Sequence, residues 1–137
     1  MTDTLQGSCF CKAVTYECGP LLGAYGHCHC QTCQKTHSAA FATTGRVDHT
    51  SFKWTSGEDI VTYIESSPGK RRHFCPKYGT HLMAELPAEK ATILRIASLD
   101  TPIDQTAAAH IWTSHKAWFF EFEDGLPRLP EAAPKPT

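Results

Sequence analysis

The chain has 137 residues, the usual size of one domain, and Leu, Ile, Val and Phe supply only 25 of them. Thirteen Lys and Arg stand against 14 Asp and Glu, a net charge of −1, while three Trp, four Tyr and seven Phe add large buriable surfaces. This composition excludes a second full core, wholesale disorder and attachment to nucleic acid through a basic footprint.

In chain order the first feature is Cys9-Phe10-Cys11. On an extended strand residues two apart share a face, so both sulfurs can reach one ion. Residues 13–18 alternate and are rich in β-formers until Gly19-Pro20 breaks the pattern, which predicts a strand with Cys18 as a core or edge thiol. Cys28-x-Cys30-x-x-Cys33 follows, then a short helical turn over 34–38. Residues 39–45, 52–54, 61–64, 81–86, 92–99 and 110–112 complete a set of about seven strands, with 56–59 and 66–69 as connections. No window of a dozen residues holds a 3.6-residue period. The expected fold is therefore mainly β, several short antiparallel sheets with little helix. Prolines at 127, 130, 134 and 136 predict an extended, partly disordered tail, dividing the chain into a domain over 1–126 and a Pro-rich tail over 127–137.

No apolar run approaches the roughly eighteen residues of a membrane span, and residues 1–6 lack a basic segment leading into an apolar one. The expectation is a cytoplasmic protein with neither membrane nor nucleic acid as a partner. Six of the seven cysteines lie within the first 33 residues, and in a reducing compartment such a cluster reads as a metal or catalytic site. Cys28, Cys30 and Cys33 bring three sulfurs around one point, while zinc prefers four ligands; structural sites close the fourth position and catalytic ones leave it open. The competing readings are buried unligated thiols and a Cys30/Cys33 redox pair. His27 and His29 interleave with these ligands and read as groups that orient the thiolates from behind. Cys9 and Cys11 need a second half-site, which Cys75-Pro76-Lys77-Tyr78-Gly79 resembles except for Tyr78. A phenol with a pKa of about 10 is a poor substitute for a thiolate. His73, His81 or water are the alternatives for the fourth place, as is an empty site. Arg71 and Arg72, in the basic run that starts at Lys70, suit bidentate contact with a substrate carboxylate, or simply a solvated loop face. Trp118 is a candidate pocket wall within an aromatic cluster that otherwise reads as core.

The order of these motifs, from Gly7-Ser8-Cys9-Phe10-Cys11-Lys12-Ala13-Val14 through His27-Cys28-His29-Cys30-x-x-Cys33 and Phe74-Cys75-Pro76 to His110-Ile111-Trp112 and Asp124-Gly125-Leu126-Pro127, resembles the glutathione-dependent formaldehyde-activating enzyme family, which includes the centromere protein V-like domain. The resemblance spans about residues 7–131. It implies a β-tent fold with two zinc ions. One would be structural, at Cys9, Cys11, Cys75 and the position held here by Tyr78; the other would be catalytic, at Cys28, Cys30 and Cys33. It also implies a glutathione-type small thiol as substrate and carbon–sulfur lyase chemistry, with a non-catalytic zinc-stabilised binding module as the rival.

Overall fold

The computed structural model describes residues 3–132 and is mainly β, with one α-helix. Ten strands form two sheets. The smaller is antiparallel and contains β1 (Leu5–Ser8), β2 (Thr15–Cys18) and β5 (Lys53–Ser56), with β2 in the middle. The larger contains β3 (Tyr25–Cys28), β4 (Ala42–Asp48), β6 (Thr62–Ser67), β7 (Lys70–Phe74), β8 (His81–Leu86), β9 (Ala91–Arg95) and β10 (Ala107–Ile111), in the order β10-β3-β4-β9-β8-β7-β6. Every pair is antiparallel except β10 with β3, which runs parallel and so departs from the purely antiparallel expectation. Between β3 and β4 lies the helix α1 (Gln31–His37), which starts earlier than the helical turn read from the sequence.

The main core lies between the two sheets' facing side chains and includes Leu5, Val14, Tyr16, Leu21, Val47, Leu82 and Leu94. Tyr16 anchors it: its hydroxyl meets Ser98 Oγ at 2.7 Å, and its ring stacks on Phe52 at 5.0 Å. The ring lies so close over Gly7 that a Cβ there would come within 2.2 Å of Tyr16 Cζ, so β1 requires glycine at that point. Lys12, at φ 65°, closes the turn between β1 and β2, with its N–H donating to Cys9 O at 2.9 Å. Cys9 and Cys11 therefore meet across a turn and not along a strand, as their spacing alone had suggested.

Beyond β10, the segment 127–131 continues as an extended run beside it. His110 N donates to Pro127 O (2.8 Å), Leu129 N to His110 O (2.8 Å) and Trp112 N to Glu131 O (3.0 Å). Proline lacks a donor but keeps its carbonyl, and at this edge Pro127 and Pro130 act only as acceptors, the latter from Ser114 N at 3.2 Å. Residues 133–137 of the expected tail lie outside the described part. Among the described residues no helix is long and apolar enough to cross a membrane.

Candidate metal centre and thiol cleft

Two groups of three cysteines each bring their sulfurs within 4.8 Å of one another: Cys28, Cys30 and Cys33, and Cys9, Cys11 and Cys75. The first is assembled by a strand-to-helix junction. β3 delivers Cys28, the chain steps through His29 to Cys30, and Cys30 caps α1 by accepting the N–H of Cys33 on its sulfur at 3.3 Å. One helical turn thus returns Cys33 towards Cys30. Cys28 and Cys33 are buried and Cys30 is partly open.

The surroundings of this group are cationic. Arg72, only 2% exposed, donates from Nη1 to Cys33 Sγ at 3.6 Å and from Nε to Ser66 Oγ at 2.8 Å. Arg95, 4% exposed, lies beside the same thiols, and its Nε and Nη2 have no protein partner. Among the described residues no carboxylate forms an ion pair with either guanidinium. The opposing charge beside them is that of Cys33. Hydrogen bonds from Cys28 and Cys30, then the charge of Arg95 and the bond from Arg72, hold Cys33 well below the usual thiol range against the opposing effect of burial. Those shared bonds to Cys30 and Cys33, together with burial, push Cys28 up. Three packed sulfur donors, one of them held anionic, suit a thiophilic divalent ion, which would take the place of the remaining protons; the nearby cations would offset the net negative charge of such a tris-thiolate set.

A cleft of about 420 Å³ opens over these sulfurs, with Lys70, Arg95, Ile111 and Trp112 among its walls. Lys70 is pushed down by burial and by Arg72 and Arg95. β7 alternates, so Lys70 and Arg72 turn towards the cysteines while Arg71 turns away and lies over the Tyr63 ring, 5.0 Å from its centroid. The two arginines singled out from sequence are therefore not brought together. Arg72 is buried against Cys33, and neither it nor Arg71 is among the residues that line the cleft. Trp118 also sits elsewhere, 89% exposed in a separate depression with Gln31, Lys35 and Phe119. The indole beside the thiols is Trp112, packed against them in a left-handed backbone conformation at φ 55°.

His27 and His29 are likewise turned away from the sulfurs, because alternation along the strand puts them on the face opposite Cys28 and Cys30. His27 Nδ1 meets Thr43 Oγ1 at 2.9 Å. His29, fully buried, meets His110 at 2.7 Å, and His110 in turn meets Asp124 at 2.8 Å, within a shell of Phe41, Phe120 and Phe122. They brace the strand and do not hydrogen-bond the thiols. On the far side of the cysteines, His37 and His81 face each other at 5.0 Å between ring centroids.

Burial, then Arg95, His81 and Arg72, lower His37 to about 4, while the Cys33 charge opposes them. A histidine held neutral in the fold binds fewer protons than in the unfolded chain. Its contribution is present above the unfolded pKa and is lost as pH falls from about 6.5 towards 4. Unfolding of the metal-free protein is expected to become about 1–2 kcal/mol easier between pH 7 and pH 5 from this partly buried group, discounted for its exposure. Denaturant titrations at both pH values, with His37→Gln as the comparison, check this: the variant should show the smaller difference.

This is a mainly β fold with a cationic, cysteine-lined cleft and two cysteine groups that could each hold a metal ion. The profile of the glutathione-dependent formaldehyde-activating enzyme family matches residues 4–115, and the chain belongs to that family. A crystal structure of a Rhodobacter sphaeroides protein, a structural-genomics target, shares the fold with a TM-score of 0.58 at 21% identity, over 72% of this chain and 91% of that one. No protein of curated function matches the chain.

Proposed function

We propose that the chain forms and cleaves the carbon–sulfur bond of hydroxymethyl adducts between a glutathione-type thiol and a small aldehyde such as formaldehyde, acting as a zinc-dependent carbon–sulfur lyase or synthase in the cytoplasm. The observation that carries this reading is the cleft itself: three cysteines on its floor with Arg72, Arg95 and Lys70 around them. Cys28, Cys30 and Cys33 would hold a zinc ion, which would supply a soft position that lowers the pKa of a bound thiol.

The protein's own groups account for the rest. Arg72 donates to Cys33 and, after the bonds from Cys28 and Cys30 and the charge of Arg95, helps to hold it anionic. Lys70 and Arg95 present positive charge to the carboxylates that a glutathione-type ligand carries, and Trp112 gives its backbone an apolar wall. The addition balances without a further reactant. The thiol sulfur bonds to the carbonyl carbon and the thiol proton ends on the carbonyl oxygen; the reverse step breaks the same bond. Because thiols and formaldehyde combine readily unaided, the protein contributes mainly proximity. All seven cysteines are free, which accords with a reducing compartment.

The closed, non-catalytic alternative needs a fourth zinc ligand, for which His27 and His29 are the candidates, and these are engaged by Thr43 and His110. Exchange NMR with carbon-13 formaldehyde and glutathione tests the proposal. Zinc-loaded protein should raise the rate of interconversion between free aldehyde and thiol adduct above that of the same mixture without protein. An unchanged rate across the pH range in which the protein is folded would sink it.

A further inference from the structure

The second cysteine group is complete in three directions and lacks the fourth. Cys11 Sγ lies 3.4 Å from Cys9 Sγ and 3.7 Å from Cys75 Sγ. The turn that could return another ligand is fully formed: Gly79 N donates to Cys75 O at 2.7 Å, Cys75 N to Thr80 O at 3.0 Å, and Gly79 adopts φ 81°. Yet Tyr78 carries its ring outward, 67% exposed, against the still more exposed Phe10 with 5.7 Å between centroids.

Neither histidine candidate compensates. His73 Nε2 meets Glu85 Oε1 at 3.2 Å, and His81 lies between Phe74 and His37. Among the described residues no fourth His, Cys, Asp or Glu joins the group. Thr80 Oγ1 approaches Cys9 Sγ at 3.2 Å, but a neutral hydroxyl is a weak partner for zinc beside nitrogen and sulfur donors. Cys9 and Cys75 are buried, whereas Cys11 is partly exposed and leaves the group a side facing solvent.

We propose that Cys9, Cys11 and Cys75 form an open, exchangeable zinc site whose fourth position is filled from solution and not by a residue of the chain. The inference rests on the zinc reading of the proposed function but concerns the other cysteine group. Structural zinc sites are closed by four protein ligands, and a closed shell gives a competing ligand no place to attach before a protein bond breaks. Here that place exists. The β1–β2 turn and the core around Tyr16 are held by packing and hydrogen bonds of their own, so zinc can leave without taking the fold with it.

The test is the rate at which the zinc-loaded full-length chain gives up metal to an excess of the chromogenic chelator 4-(2-pyridylazo)resorcinol. The wild-type chain, with two open sites, is expected to release all its zinc rapidly. Tyr78→Cys, which supplies the missing thiolate from the preformed turn, should move one equivalent into a phase slower by about tenfold or more. If the wild-type chain, reloaded with excess zinc, still holds only one equivalent while Tyr78→Cys holds two, the three-thiol group is empty in the wild type and the inference is overturned. It is also overturned if Tyr78→Cys matches the wild type in both zinc content and rate, or if the wild type already releases slowly an equivalent that Cys75→Ser removes. Loss of the cleft zinc would instead show as an equivalent insensitive to Tyr78→Cys and Cys75→Ser but absent from Cys30→Ser, so the two readings fail separately.

Discussion

A Cys33→Ser variant is expected to lose one equivalent of zinc and, with it, at least about a hundredfold of any acceleration of adduct exchange, while remaining folded. The reason lies in the position of Cys33 within its group. It is the sulfur held deprotonated, by bonds from Cys28 and Cys30 and by the neighbouring Arg95 and Arg72. Serine keeps the size but not the ionisation, so the three-donor set loses its anchoring charge. The fold should survive because the main core around Tyr16, Leu82 and Leu94 is separate from the smaller cluster of Cys28, Cys33 and Ala42. Elemental analysis with circular dichroism on the same sample checks both halves. Full zinc retention would mean that the cleft sulfurs are not the ligands.

The second large effect is expected from Arg72→Met. Methionine preserves much of the buried volume and removes both the charge and the donor that reach Cys33 and Ser66. Groups that hold metal ligands from behind are worth about 10–100-fold in metal affinity, and a drop of that size in zinc affinity is expected here. Arg72→Lys should recover only part of it, since an ammonium cannot span Cys33 and Ser66 with the fork of a guanidinium. Competition with a chelator of known affinity measures this. Equal affinity in Arg72→Met and the wild type would reduce Arg72 to a packing residue.

The group of Cys28, Cys30 and Cys33 was legible in the sequence because its spacing is local, whereas Cys9 and Cys11 need Cys75, which lies 64 residues beyond Cys11 along the chain. Three residues of a strand end and one helical turn assemble Cys28, Cys30 and Cys33, and no distant element is needed to bring them together. The cations were not, because their position depends on strand pairing. The run Lys70-Arg71-Arg72 has the composition of a solvated loop, and only its incorporation as β7 between β6 and β8 turns its first and third residues towards the thiols. An alternation of Lys70, Arg72 and Phe74 was the available signal, masked by Arg71 between the cations. Arg95 was hidden at the end of β9, where the apolar run expected to continue to residue 99 breaks into a short 3₁₀ turn over Ile96–Ser98. β1 was missed because Gln6, Gly7 and Ser8 are weak strand formers; Tyr16, packing over Gly7, supplies the reason for the strand from outside its own segment. Trp112 and Trp118 are similar on paper, and only the left-handed backbone at Trp112 folds its indole back against the thiols.

The parallel pairing of β10 with β3 sets the order in which this cleft can exist. Cys28 and its helix are neighbours in sequence, but Ile111 and Trp112, which wall the cleft, come from a strand more than eighty residues later that must dock at the far edge of the sheet. Closing so long a loop is slow compared with forming one helical turn. During folding, then, the three thiols are expected to gather first as a solvent-open chelating hook and to acquire their pocket only when the last strand arrives.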